Sequence, residues 1–341
     1  MGGYGQADLA HAAAAAAQAP GPDDGRPTYR LHDGGIDVLV DQPWAAVSSD
    51  SAAHASRLAA GAGILNARLA LAVRGRPALV RLRPHRDEPD LFARIQPGAA
   101  RAPTRIEQNL FATVPRCSVL PVPFGPVSVP IEVRRRLAAA AEAEHGWLDL
   151  ITGRSAVAAV TQIAATAHQV LVGAHSRVRP AGPERGSVGS SHPVPAHGPC
   201  PALPGRPNAA WPARAFVPGG GDQSGCDPLA VVLGSPMDTP TEDLRAGQAL
   251  QRVLLTVADV YLAAYLLPQV IDVPAAREQL RLALGRSGPP QMVLRVGYAR
   301  AASESPATAT VTTRTSREDG SKVPWANGPA ALPRPVAGDV E

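Results

Sequence analysis

Aromatic residues make up only 4% of the 341-residue chain, four Trp, five Tyr and four Phe. Any core must therefore be built from Ala, Val and Leu, which supply most of its 45% hydrophobic residues. Cysteine is nearly absent as well. Cys117, Cys200 and Cys226 are an odd set with no paired spacing, which argues against a disulfide framework. Lysine occurs once, at Lys322, so the net charge of +4 rests on arginine. The arginines are scattered, with no basic run interleaved with aromatics, and this argues against a nucleic-acid surface. No run of about 18 uninterrupted apolar residues occurs, and Ala12 to Ala17 is too short and too weakly apolar for a signal peptide or a span. These absences leave a soluble, cytoplasmic protein with no membrane and no nucleic-acid partner as the expectation.

The strongest pattern runs from Leu244 to Ala299. Ala246, Ala249, Leu250, Val253, Leu254, Val257, Ala258 and Tyr261 recur at helical spacing with a wide apolar stripe, which predicts a mostly buried helix starting near Asp243 as its N-cap. A short strand over Ala263–Leu267, a helix from Pro274 closed by Gly285, and a strand over Gln291–Tyr298 follow. Upstream, Thr28–Gly35 and Ile36–Val40 read as strands, and a long helix is predicted from about Ala52 to Val73.

That earlier helix is echoed by the later one. Gly61, Ile64, Ala67, Leu69 and Leu71 recur as Gly247, Leu250, Val253, Leu255 and Val257, an offset of 186 (247 − 61) throughout. A short apolar run follows each copy, Ala78–Leu82 and Ala263–Leu267. Then come segments read as Pro-bounded helices, Pro89–Ile95 and Pro274–Leu284. Duplication explains the offset; so does the chance alignment of two Ala/Leu-rich helices.

Around these elements the sequence thins. Residues 1–27 read as a disordered tail, with helix at most in the alanine run, and 301–341 as a low-complexity tail. Residues 174–227 are rich in Pro, Gly and Ser without apolar periodicity. A helix is expected within Ala100–Thr113, others over Ile131–His145 and from Ser155, and strands over Trp147–Ile151 and Leu229–Leu233.

Motif chemistry is sparse. His192, His197, Cys200 and Cys226 lack the short paired spacing of a zinc site. Gly219–Gly221 has no following Lys-Ser/Thr, and Gly186–Gly189 lacks nucleophile-elbow spacing. No metal site and no catalytic acid–base set is predicted.

The segments RAGQALQRVLL, DVPAAREQLR and PQMVLRVGYA resemble the C-terminal half of the actinobacterial Acg family, a divergent branch of the nitroreductase-like proteins. The resemblance covers about residues 28–300 and implies an α+β, nitroreductase-like fold. It further implies a fused pseudo-dimer with central buried helices: subdomains over 28–113 and 114–300, with 174–227 as a lid on a flavin pocket. Activity would be FMN-dependent NAD(P)H oxidoreduction with a small-molecule electron acceptor, in a monomeric pseudo-dimer or a homodimer. The alternative is a relative that sequesters flavin or has lost it. The family's arginine-rich phosphate motif ends in Pro-Phe-Gly, and Arg116-Cys-Ser-Val-Leu-Pro-Val-Pro-Phe-Gly125 is similar to it. By that resemblance Arg116 and Ser118 hold the FMN phosphate, and Arg334, in Leu332–Val340, is a second ligand displaced by about thirty residues. Leu120, Pro121 and Val122 stand where further family arginines would be. Hydride transfer on a flavin needs no acid–base pair from the protein, so the missing triad does not count against this reading.

Overall fold

The computed structural model describes residues 5–22, 25–40, 49–85, 87–117, 119, 124–125, 127–178 and 229–299. Their elements are α1 (Gln6–Ala17), β1 (Thr28–His32), β2 (Gly35–Leu39), α2 (Asp50–Val73), β3 (Ala78–Leu82), β4 (Leu91–Pro97), α3 (Arg105–Thr113), α4 (Ile131–Glu142), β5 (Trp147–Ile151), α5 (Arg154–Val178), β6 (Leu229–Gly234), α6 (Pro240–Asp259), β7 (Ala263–Leu266), α7 (Gln269–Asp272), α8 (Pro274–Ala283) and β8 (Pro290–Gly297). The fold is α+β. Its strands form two four-stranded antiparallel sheets, ordered β1-β2-β4-β3 and β5-β6-β8-β7. The two orders are the same when each sheet is counted from its first strand. Each sheet also carries a register shift in its second strand, at Val38/Leu39 and at Leu233/Gly234.

The long helices α2 and α6 lie together at the centre. Ser49 caps α2 by accepting the Ala52 amide (3.3 Å), and Thr239 caps α6 by accepting the Glu242 amide (3.2 Å). Asp243 is therefore not the N-cap expected from its position after Pro240. Pro240 fits the first turn, where no amide is needed, and this puts the cap on Thr239. Asp243 instead turns inward and binds Arg57 of α2 (Nε–Oδ2 2.7 Å). A glycine inside a helix costs about 1 kcal/mol against alanine. Gly61 and Gly247 are kept because a methyl on Gly61 would strike the Leu244 carbonyl, and one on Gly247 the Leu58 carbonyl. The contact is reciprocal: Leu58 and Leu244, Gly61 and Gly247, and Arg57 and Asp243 are each 186 apart (244 − 58, 247 − 61, 243 − 57).

One apolar cluster joins α6 to the inner face of the second sheet, and another joins α2 to the first sheet. The outer faces differ. On the second sheet, Val232, Val293 and Leu267 are covered by Val160 and Ala164 of α5, Val270 and Ile271 of α7, and Leu280 of α8. On the first, the register aligns Arg30, Asp37, Arg94 and Arg81 across all four strands, with Asp37 buried between Arg94 (2.7 Å) and Arg30 (3.3 Å).

Two further expectations need correcting. The N-terminal stretch is not a tail without core contacts. Leu9, Ala12, Ala15 and Ala16 of α1 are buried against α2, and the Ala15 carbonyl accepts the Asn66 side-chain amide (3.1 Å). Alanines bury little area each, but their small size lets two helix backbones approach closely. The segment Pro89–Ile95 is not a helix. It supplies β4, whose Ala93 and Ile95 face the core opposite Val38 and Ile36 while Arg94 meets Asp37. Residues 174–178 of the expected lid continue α5; its remainder and the 301–341 tail lie outside the described residues. Within α5, Ser155–Gly173 is long and apolar enough to cross a membrane by length and composition, and it is mostly exposed. Its buried residues Val160, Ala164 and Ala167 pack toward α7 and α8.

Candidate functional site

The segment that carries Arg116 is fixed from its upstream side. Thr104 and Glu107 form a reciprocal capping box at the start of α3, and Arg101 binds Glu107, whose carboxyl is pulled down to about 2 chiefly by that guanidinium. The helix then tightens into one 3₁₀ turn, Val114–Arg116, where Pro115 fits the first turn. Val114 and Cys117 point into the core, so the intervening Arg116 is thrown outward. Beyond the turn, Val119 bridges to Ala264 of β7, Phe124 bridges to Ala299, and the Gly125 amide donates to the Tyr298 carbonyl (2.8 Å). Val119 is thus tied to β7, and Phe124 and Gly125 to the residues that follow β8.

Arg116 is exposed and makes no ion pair with the described residues. Its guanidinium carbon lies 5.7 Å from the centroid of the Tyr261 ring. Arg57, Arg68, Arg94, Arg101, Arg136, Arg252, Arg277 and Arg286 are each held by an Asp or Glu carboxylate, whereas Arg116, like Arg81, Arg83, Arg105 and Arg135, has no such partner among the described residues. Nearby, the Arg295 guanidinium sits over the Phe124 ring at 5.6 Å, and burial raises the Tyr265 hydroxyl pKa, with Arg295 opposing. A guanidinium that no carboxylate neutralises keeps its charge for an anion such as phosphate, and among the described residues no carboxylate pairs with Arg116. Ser118 and Arg334 lie outside the described residues, so of the three expected ligands only Arg116 has a described position.

Cys117 is buried, with its sulfur at 4.0 Å from Gln251 Nε2, and that amide also donates to Asn66 Oδ1 (3.0 Å). The thiol belongs to the packing between α2 and α6.

Sequence reasoning missed two features. The first is the place of Tyr261, which the apolar stripe put on the buried helix but which stands beyond its end, 79% exposed; the signal was the 186 offset, which aligns it with Gly75 (261 − 75). The second is a buried polar junction. His54 Nδ1 lies 3.4 Å from Asp243 Oδ1, and His54 Nε2 donates to the Gln291 carbonyl (3.3 Å). Burial pushes Asp243 up, but the hydrogen bonds and charges of His54 and Arg57 outweigh it and hold the carboxyl below its usual range. Asp272 has weaker compensation: burial pushes it up to about 6, with His54 opposing. Among the described residues no group of three or more His, Cys, Asp or Glu is arranged to hold a metal ion.

No protein-family model matches the chain. Over 103 residues, 28% of the chain, it is 35% identical to two Mycobacterium tuberculosis proteins named "Putative NAD(P)H nitroreductase", Rv3131 and MT3217. The match spans 30% of the length of these curated relatives. Among solved structures it is similar to the FMN-dependent nitroreductase NfnB from Mycobacterium smegmatis in complex with NADPH, at 16% identity, 56% of this chain, 88% of that one and a TM-score of 0.34. A nitroreductase with bound FMN from Bacteroides fragilis gives 11% identity, 63% of this chain, 100% of that one and a TM-score of 0.36. At these scores the structural likeness assigns no residue roles.

Proposed function

We propose that this chain is a divergent nitroreductase-like flavoprotein of the Acg type, which binds FMN and passes electrons from NAD(P)H to a small-molecule acceptor. The observation that carries the reading is Arg116. It is an exposed guanidinium with no carboxylate partner among the described residues, and it stands at the head of the segment ending in Phe124-Gly125. In this reading Arg116 neutralises the FMN phosphate and Ser118 adds a hydroxyl, with Arg334 as a further ligand. Bound FMN supplies the hydride chemistry. The residues of the chain bind the phosphate and exclude water.

The 103-residue likeness to two mycobacterial proteins supports the assignment. The shared strand order and the reciprocal glycine contact support a fused pseudo-dimer, with halves over 28–113 and 114–300. A protein of that design is a monomer or a homodimer and is cytoplasmic, with α5 packed on the protein rather than in a membrane. A second reading is favoured by one observation. Leu120, Pro121 and Val122 replace family arginines, which suits a protein that sequesters flavin without turnover or has lost it.

FMN titration of the purified chain and of Arg116→Ala separates these. The substitution is expected to cost about 1.5–3 kcal/mol of FMN binding, the range for a hydrogen bond to a charged group. Unchanged affinity would place the phosphate elsewhere.

A further inference from the structure

Helix α6 ends in an unusual way. The Tyr261 amide donates to Ala258 (3.2 Å) and the Leu262 amide donates back to Val257 (3.0 Å), which closes the helix through a left-handed residue at Tyr261, φ +57°. Helix α2 ends identically: Gly75 donates to Ala72 (2.9 Å), Arg76 donates to Leu71 (3.0 Å), and Gly75 has φ +79°. All four positions correspond at the 186 offset (257 − 71, 258 − 72, 261 − 75, 262 − 76). Helix α8 closes on Gly285 at φ +65° in the same manner. Glycine is the favoured residue at such a position because it has no Cβ to clash. His145, after α4, is another departure at φ +63°, but histidine is a residue type that visits this region more readily. A bulky tyrosine there is an outlier.

The ring recovers nothing from burial, because Tyr261 is 79% exposed. Local stability therefore favours glycine at 261, as at 75, and the reason for tyrosine lies in what its ring touches. That is the Arg116 guanidinium. A carboxylate would fix an arginine but cancel its charge. An aromatic face attracts the cation and leaves its charge and N–H edge available to a ligand.

We infer that Tyr261 is a positioning residue for Arg116, an aromatic support that holds the guanidinium ready for the phosphate of FMN. The inference rests on the reading of Arg116 as a phosphate ligand. Backbone strain at the end of α6 is retained in exchange for a pre-oriented cation, and the first half, whose equivalent residue is Gly75, carries no such support.

The test uses the full chain and four variants, Tyr261→Gly, Tyr261→Phe, Tyr261→Asn and Arg116→Ala. Melting temperature is measured alongside binding of FMN and of riboflavin, which has no phosphate. Tyr261→Gly is expected to raise Tm by about 2–4 °C while weakening FMN binding about 3- to 30-fold, the span of a cation–π contact. Riboflavin binding should stay at the wild-type level in Tyr261→Gly and in Arg116→Ala. Tyr261→Phe keeps the ring and should keep FMN affinity. Tyr261→Asn, which tolerates the left-handed conformation, should lose affinity as glycine does, and it carries the test if the glycine variant is not obtained folded. If Arg116→Ala loses FMN affinity and Tyr261→Gly and Tyr261→Asn do not, this inference is overturned while the FMN reading stands. Equal loss of FMN and riboflavin in Tyr261→Gly overturns it too, because the ring would then be only structural. If the wild-type chain binds no FMN, or Arg116→Ala binds it normally, the phosphate reading fails and this inference fails with it.

Discussion

Asp272→Asn should make the protein more stable at pH 8 and leave it unchanged at pH 4. Asp272 ends α7 with its carboxyl mostly buried, and burial pushes its pKa from 3.8 up to about 6. The opposing charge of His54, itself tied to Asp243 and flanked by Arg57, only partly offsets this. The folded state therefore binds the Asp272 proton more tightly than the unfolded state does. Between about pH 4 and 6 the folded chain holds more protons, so stability falls as pH rises through that window and stays lower above it. A shift of about two units, at 1.36 kcal/mol each and discounted for partial solvent access, amounts to about 2–3 kcal/mol. Asparagine has the same shape and never ionises, so it removes the penalty. Urea unfolding of both proteins at pH 4, 6 and 8 measures the difference. Asp243 has the opposite sign, since its lowered pKa gives stability above 3.8 that is lost in acid, but it is common to both proteins and cancels. A variant no more stable than wild type at pH 8, or a difference that does not change with pH, would refute the reasoning.

Other perturbations test other joints. Gly61→Ala and Gly247→Ala each drive a methyl into a backbone carbonyl of the opposing helix and should destabilise by about 1–3 kcal/mol or more, read by thermal unfolding. Arg57→Ala leaves Asp243 buried without its closest cation and should cost about 3–5 kcal/mol at pH 7. Less of that cost should remain in acid, where the carboxyl protonates. Gly75→Tyr forces a side chain into the left-handed turn at φ +79° and should cost about 1–2 kcal/mol.

Much of the fold was legible because its elements are long or strongly patterned. The two central helices, the strands following each and the 186 offset all rest on apolar periodicity that burial enforces. The errors fall where periodicity is short or chemistry is local. Seven residues, Leu91–Pro97, fit a helical stripe as readily as a strand, and only the open position between β2 and β3 decides. The cap of α6 depended on which oxygen meets the Glu242 amide, and Thr239 does so. In α1, a composition typical of a tail hid a face of small residues that fits against α2.

The candidate site was half legible. Arg116, whose role there is the proposal made above, could be singled out from its motif. Tyr261 could not, because its partner is 145 residues away (261 − 116) and a left-handed backbone leaves no periodic mark. The clue was a tyrosine standing where the first copy has glycine. His54, Arg57 and Asp243 carry no mark of burial in a sequence, since charged residues are mostly at the surface, and only their mutual pairing takes them inside.

The central claim is that Arg116 marks a flavin phosphate site. Its most direct test is an FMN titration of the purified full-length chain at low salt, followed by visible absorption and flavin fluorescence, beside Arg116→Ala. The account predicts saturable binding by the wild type, weakened roughly tenfold to a hundredfold by the substitution. A wild-type chain that takes up no FMN at millimolar ligand contradicts it.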